Sequence, residues 1–241
     1  MFDGLRLAVT TLTVLPVRAG RIDRQVAGRA MMLAPLVGAG LGLVLAGWHE
    51  LLPANLLGAA LVVTAGVLLT RGLHLDGLAD SVDALGSYRT GSAALEIMKK
   101  SDIGPFGVAA IVLTLLLQTA AISTGVSPWA IVAAWTTGRF GVTLACRKGL
   151  PAARPDGLGA LVAGTVPTAV TVLAAMPVAA LATAAVPDRL WAGPATVAAV
   201  TVILIMVLRH AVRRFGGITG DVIGATTELA TTMTIVALAI L

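Results

Sequence analysis

The sequence predicts an all-α fold, a polytopic transmembrane helix bundle of about seven spans, from three observations. Of 241 residues, 57% are hydrophobic and only 12% charged, against roughly 25% charged in a soluble domain. The apolar residues fall in runs close to the ~20 that a helix needs to cross a bilayer, without the period-2 alternation of a β-barrel. The basic residues gather in every second connecting loop, the mark of membrane topology. Abundant Gly and Ala and scarce aromatics, 4%, suit close helix–helix packing. Residues 1–241 read as a single integral membrane domain.

The first apolar stretch, residues 5–17, is too short to span and is broken by Pro16, so it reads as an interfacial helix or partial span. No charged leader with a cleavage site precedes it, and no signal peptide is expected. Candidate spans follow at residues 30–47, 55–72, 105–124, 128–146, 166–186, 191–208 and 222–241. Pro177 inside the fifth predicts a kink.

Loops rich in Arg and Lys alternate with loops that are poor in them. Arg18, Arg21, Arg24 and Arg29 precede the first span; Arg89, Lys99 and Lys100 follow the second. Arg147, Lys148 and Arg154 follow the fourth, and Arg209, Arg213 and Arg214 the sixth. The intervening loops hold none, apart from Arg189. The positive-inside rule then puts the N-terminus in the cytoplasm and the C-terminus outside. A net charge of +5 would suit nucleic acid, but its confinement to short loops excludes that partner and points to anionic headgroups. The lone Cys146 permits no internal disulfide and suggests no thiolate metal site.

Asp76, Asp80 and Asp83 follow the second span at spacings i, i+4 and i+7. On a helix they share an arc of roughly 60° over about 10 Å of axis. Carboxylates this close repel unless a cation lies between them, and ionisable groups beside hydrocarbon are costly to keep. Oxygen ligands suit Mg²⁺, which works with phosphates more than in all-protein cages. Three acids at a solvated helix end are the plainer alternative. His74 is either a chemical group or an interfacial histidine.

Three further groups fall on the same side of the predicted membrane. The 96–107 loop carries Lys99, Lys100 and Ser101 before a Gly-Pro-x-Gly turn, either a phosphate-neutralising loop or an ordinary topology signal. The 216–228 segment opens a helix with a Gly-rich turn, placing Asp221 near its start and Glu228 further in. Asp221 could also be a plain N-cap. Arg139 lies within the fourth span and could pair with acids or clamp phosphate; Arg154, in the loop after it, reads more often as a topology signal. Acids for a metal, cations for phosphate and flexible turns are the inventory of metal-assisted phosphoryl-group transfer. No nucleotide P-loop is present.

The run His74-Leu75-Asp76-Gly77-Leu78-Ala79-Asp80-Ser81-Val82-Asp83-Ala84-Leu85-Gly86 resembles the signature of the cobalamin synthase family, the adenosylcobinamide-GDP ribazoletransferases. So do Glu96-Ile97-Met98-Lys99 with Ile103-Gly104 and Phe106-Gly107, and Leu12-Thr13 with Leu15-Pro16-Val17. Pro35-Leu36-Val37-Gly38, Ala153-Arg154-Pro155 and Thr219-Gly220-Asp221 with Glu228-Leu229 complete the series, in the family's order. The resemblance implies a Mg²⁺-dependent multi-pass enzyme of the bacterial inner (plasma) membrane, with its active site facing the cytoplasm. It would join adenosylcobinamide-GDP to α-ribazole or its 5′-phosphate, releasing GMP. Asp76, Asp80 and Asp83 would hold Mg²⁺ on the diphosphate, and Asp221 would complete the site or act as base. His74, Lys99, Lys100, Ser101, Arg139, Arg154 and Glu228 would bind substrate, with the ribazole 5′-oxygen attacking. Lys100-Ser101-Asp102 departs from the family pattern: acid and base are exchanged around Ser101. A second copy of the chain stays open as a partner.

Two other classes share part of this pattern. CDP-alcohol phosphotransferases also set aspartates at span ends, but their D-x2-D-G-x2-A-R pattern is not met here. An ion-coupled transporter would carry its acids near the bilayer midplane and often an internal repeat, and neither is evident.

Overall fold

A computed structural model describes residues 2–18 and 20–241. Among the described residues it contains helices and no strands. The helices are α1 (Phe2–Leu12), α2 (Arg24–Met32), α3 (Ala34–Glu50), α4 (Leu56–Leu69), α5 (Leu73–Gly86) and α6 (Gly91–Met98). They continue with α7 (Pro105–Ser123), α8 (Pro128–Ala145), α9 (Gly157–Val162), α10 (Thr168–Ala182), α11 (Ala192–Phe215) and α12 (Gly220–Ile240). Hydrocarbon cannot hydrogen-bond a bare backbone, and helices satisfy theirs internally.

Among the described residues, four helical stretches are long and apolar enough to cross a membrane: α7, α10 with its 3₁₀ extension to Ala185, α11 and α12. Counting α2–α3 and α4–α5 as bent pairs raises this to six. The fourth expected span, residues 128–146, does form a helix, α8, but stands outside that set. It carries Arg139, Thr136, Thr137 and Thr143, and nearly all its residues are buried. Enclosed by other helices, α8 needs no lipid-compatible surface. The exposed large side chains of α7, α10 and α11, among them Leu113, Leu116, Leu173, Met176 and Met206, present the apolar outer face instead. Helix α10 runs through Pro177 without ending. At 11 residues, α1 is too short to span, as its sequence suggests.

Helix α8 is the axis of the bundle, packed chiefly against α3 and α12. Small residues let the backbones approach. A Cβ on Gly38 would sit 2.5 Å from the Trp135 carbonyl oxygen, and one on Gly42 2.7 Å from Val132 Cα. Threonines serve as small apolar residues here: Thr136, Thr137, Thr226, Thr227 and Thr231 each donate to the carbonyl four residues back. Their hydroxyls therefore need no partner across the interface. Thr143 is different and donates to Met31 O at 2.7 Å, tying α8 to α2.

At the end of α4 the chain takes two successive left-handed residues, Arg71 (φ 57°) and Gly72 (φ 64°). Gly72 N donates to Val67 O at 2.9 Å, closing the helix. The result is an 89° bend between α4 and α5. The aspartate helix therefore lies across its span rather than continuing it.

The α3–α8 contact is testable. Gly38→Val should destabilise by at least about 1–3 kcal/mol through overpacking, whereas Gly40→Ala, which faces open space, should be neutral or stabilising by up to about 1 kcal/mol. Thermal unfolding of the detergent-purified chain reads both.

Candidate active site

The acid helix α5 crosses α12 with backbone nearly touching backbone. A Cβ on Gly77 would lie 2.8 Å from Asp221 O, and one on Gly224 3.2 Å from His74 O. This approach sets Asp76 and Asp80 of α5 beside Asp221 in the first turn of α12. Thr219 supplies the cap of α12, its Oγ1 accepting from Val222 N at 3.1 Å. Asp221 is thus not the cap and keeps its carboxylate for other work, next to the positive end of the helix dipole. The charges of Asp76, Asp221 and Asp83 all act on Asp80, and Arg154 is the cation that opposes them.

Arg154 is held there by two ties. Ile218 N donates to Pro151 O at 2.8 Å and Ala153 N to Ile218 O at 3.1 Å, pairing its loop with the turn before α12. Its own Nη2 donates to Leu95 O of α6 at 2.8 Å, while its Nε is buried without a partner.

Asp83 is committed differently. Its Oδ2 accepts from Gly104 N at 2.7 Å and its Oδ1 from Gly107 N at 2.9 Å. It caps the start of α7 from 21 residues upstream. A side chain at either glycine would run into this carboxylate, which explains the Gly-Pro-x-Gly turn. Both its oxygens are engaged, so Asp83 offers a cation less than Asp76 or Asp80 does.

Two cavities flank the acid row. One, of about 200 Å³, has Asp76 and Asp221 together with His74, Leu12, Met31, Val142, Leu158 and Ile223 among its walls. The other, of about 210 Å³, is lined by Asp80, Asp83, Ser87, Lys100 and Asp102, with Pro105 and Phe106. Lys99 is exposed and sits 3.8 Å from Glu96; Ser101 is exposed and lines neither cavity.

Arg139 and Glu228 do not join this row. Arg139 is 2% exposed in the middle of α8. With Glu228, Gln118, Thr70 and Thr231 it encloses a separate space of about 10 Å³, room for about one water. Gln118 Nε2 donates to Glu228 Oε2 at 3.1 Å and to Thr232 Oγ1 at 2.8 Å. The Arg139 Nε has no partner. Both residues are candidate substrate contacts by sequence, yet here they form a buried polar core one to two turns inside the rim.

Gln118 and Ser87 are not singled out by the sequence, and Asp102 only as part of the exchange around Ser101. Gln118 had a signal, since an amide inside an apolar span needs partners. Asp102 and Ser87 look like ordinary loop polarity until the fold brings them to Asp80.

Among the described residues, no three His, Cys, Asp or Glu side chains are arranged to hold a metal ion by themselves. The donors are nonetheless hard oxygens crowded with like charge. They fit a cation that keeps its waters and takes phosphate oxygens to complete its shell, as Mg²⁺ does.

The class so defined is a multi-pass, all-helical membrane protein with a carboxylate row at one helix crossing. The cobalamin-5-phosphate synthase family model matches residues 4–239, and the chain belongs to that family. It is 44% identical to an adenosylcobinamide-GDP ribazoletransferase of Frankia casuarinae, over 97% of this chain and 93% of the relative. Proteins of the same name from a Nocardioides species and from Pseudomonas syringae pv. syringae are 39% and 38% identical, each over 98% of both chains. No solved structure matches.

Two substitutions test these assignments. Asp83→Ala should cost about 1–2 kcal/mol of stability and speed amide exchange across residues 104–108, while Asp76→Ala, at an exposed position, leaves both unchanged. Arg139→Met should cost about 1–3 kcal/mol because it removes a cation that shares the small buried space with Glu228; adding Glu228→Gln should recover part of that loss in denaturant melts.

Proposed function

We propose that this chain joins adenosylcobinamide-GDP to α-ribazole or its 5′-phosphate, releasing GMP and forming adenosylcobalamin or its phosphate. The observation that carries this reading is full-length likeness to relatives named for that transfer. The reaction is phosphoryl-group transfer at a diphosphate. A ribazole hydroxyl forms a new bond to the phosphorus that stays with cobinamide, the bond from that phosphorus to the bridging oxygen breaks, and GMP leaves with it. The product for which the family is named, a cobalamin 5-phosphate, corrects one expectation. A 5′-oxygen that already carries a phosphate, and keeps it, cannot be the nucleophile, so another ribose hydroxyl attacks.

Mg²⁺ held by Asp76 and Asp80, with Asp221 beside them, would neutralise diphosphate charge and stabilise the departing GMP. The protein's own groups do the rest. Arg154, fixed between Asp80 and Asp221, and Lys100, across the second cavity, face the phosphate oxygens. Asp221 or Asp76, whichever is free of the cation, takes the proton from the attacking hydroxyl. Asp83 holds the 99–107 loop against the row. Arg139 and Glu228 support the site from within.

The positive-inside pattern supports a cytoplasmic N-terminus and a site on the cytoplasmic face of the inner membrane. The chain would act there as one integral membrane domain.

With detergent-purified chain, Mg²⁺ and both substrates, GMP should appear, and it should be absent when α-ribazole is omitted. Asp80→Asn should lower kcat at least about a hundredfold; unchanged turnover would remove Asp80 from the chemistry. In oriented vesicles, Ser87→Cys should label from the cytoplasmic side alone, and labelling only from outside would invert the topology.

A further inference from the structure

The cavity beside Asp76 and Asp221 has a chemical character of its own. Its walls come from six helices. Beside α5 they present Leu12 of α1, Met31 of α2, Val142 of α8, Leu158 of α9 and Ile223 of α12, all apolar, and Thr11 of α1 adds a single hydroxyl. The acids of α5 and α12 stand at its rim, Asp76 exposed and Asp221 partly so. Inside the wall lies one heteroaromatic group, His74. Its ring is 3% exposed, and its Nδ1 is buried with no hydrogen-bond partner. Rotation about χ2 presents either ring nitrogen to the cavity, and neutral imidazole always has one N–H to donate.

We infer that this cavity is the subsite for the base of the nucleoside substrate: a flat, uncharged, bicyclic aromatic ring with one free ring-nitrogen acceptor, satisfied by the His74 N–H. The inference rests on the reading given under Proposed function and adds to it where, and by which residue, α-ribazole is recognised. Size is the first reason. An apolar cavity of about 150 Å³ accepts benzene, so about 200 Å³ suits a bicyclic ring and excludes a corrinoid. Polarity is the second. Guanine has donors and acceptors around most of its edge, and apolar walls would leave them unpaired at high cost. A benzimidazole linked to ribose through one nitrogen has a single acceptor left, and the cavity has a single buried imidazole to meet it. Position is the third. A base seated between Leu158 and Met31 puts its ribose at the rim, with its hydroxyls beside Asp76 and Asp221, where a proton must be removed.

Equilibrium dialysis of the detergent-purified full chain tests this without turnover, using α-ribazole and the corresponding indole riboside, which lacks the ring-nitrogen acceptor. The wild-type chain should bind α-ribazole about tenfold more tightly than the indole riboside, the worth of one buried hydrogen bond. His74→Phe should erase that preference. Leu158→Trp, at a wall position that is 37% exposed and so a small risk to folding, should fill the cavity. It should weaken both ligands at least tenfold and leave adenosylcobinamide-GDP binding unchanged. The inference is overturned if His74→Phe keeps the preference, if Leu158→Trp binds α-ribazole as the wild type does, or if the wild type fails to bind or to discriminate. Absence of GMP release in the wild-type chain is a separate result and sinks the transfer reaction instead.

Discussion

The site depends on one contact, the crossing of α5 and α12 at Gly77 and Gly224. Two helices bearing carboxylates come close enough to share a charge cluster only if nothing stands between their backbones. Any Cβ at Gly77 would meet the Asp221 backbone and push the helices apart by the width of a methyl group. The Asp76, Asp80 and Asp221 carboxylates would then separate, and the apolar cavity beneath them would open. Packing at this point sets the electrostatics of the row and the shape of the cavity together.

Around the crossing the acids of one sequence motif divide into different tasks. Asp76 and Asp80 remain free at the rim. Asp83 gives both oxygens to the backbone of α7 and so fixes the loop that carries Lys100 and Asp102. A periodic row of identical residues is thereby converted into a binding edge and a structural anchor. A buried polar set does a third job: Gln118 of α7 donates to Glu228 and Thr232 of α12, and Arg139 of α8 faces the same small space.

Much of the fold is legible in the sequence, because hydrocarbon demands long apolar helices and topology demands alternating charge. All seven stretches marked from composition coincide with helices. The role of α8 is less visible, since composition measures how apolar a segment is and not whether lipid or protein surrounds it. The acid row is legible from its i, i+4, i+7 spacing. The commitment of Asp83 is not, because its partners lie 21 and 24 residues away and nothing local predicts a cap at that range. Arg139 and Glu228 mislead for the opposite reason: a buried charge marks importance without saying whether a substrate or another side chain satisfies it. His74 is ambiguous in sequence, as a single histidine in an apolar helix has no neighbours from which to infer its partner.

The two left-handed residues at Arg71 and Gly72 have a geometric consequence of their own. Had α5 continued along α4, the carboxylates would have formed a ladder, each rung about 5 Å deeper than the one before it. Turned by 89°, the same row runs level with respect to the α4 axis, and its members share one height. An elongated, charged diphosphate can then meet Asp76 and Asp80 side-on, with Asp83 at the same height holding the neighbouring loop.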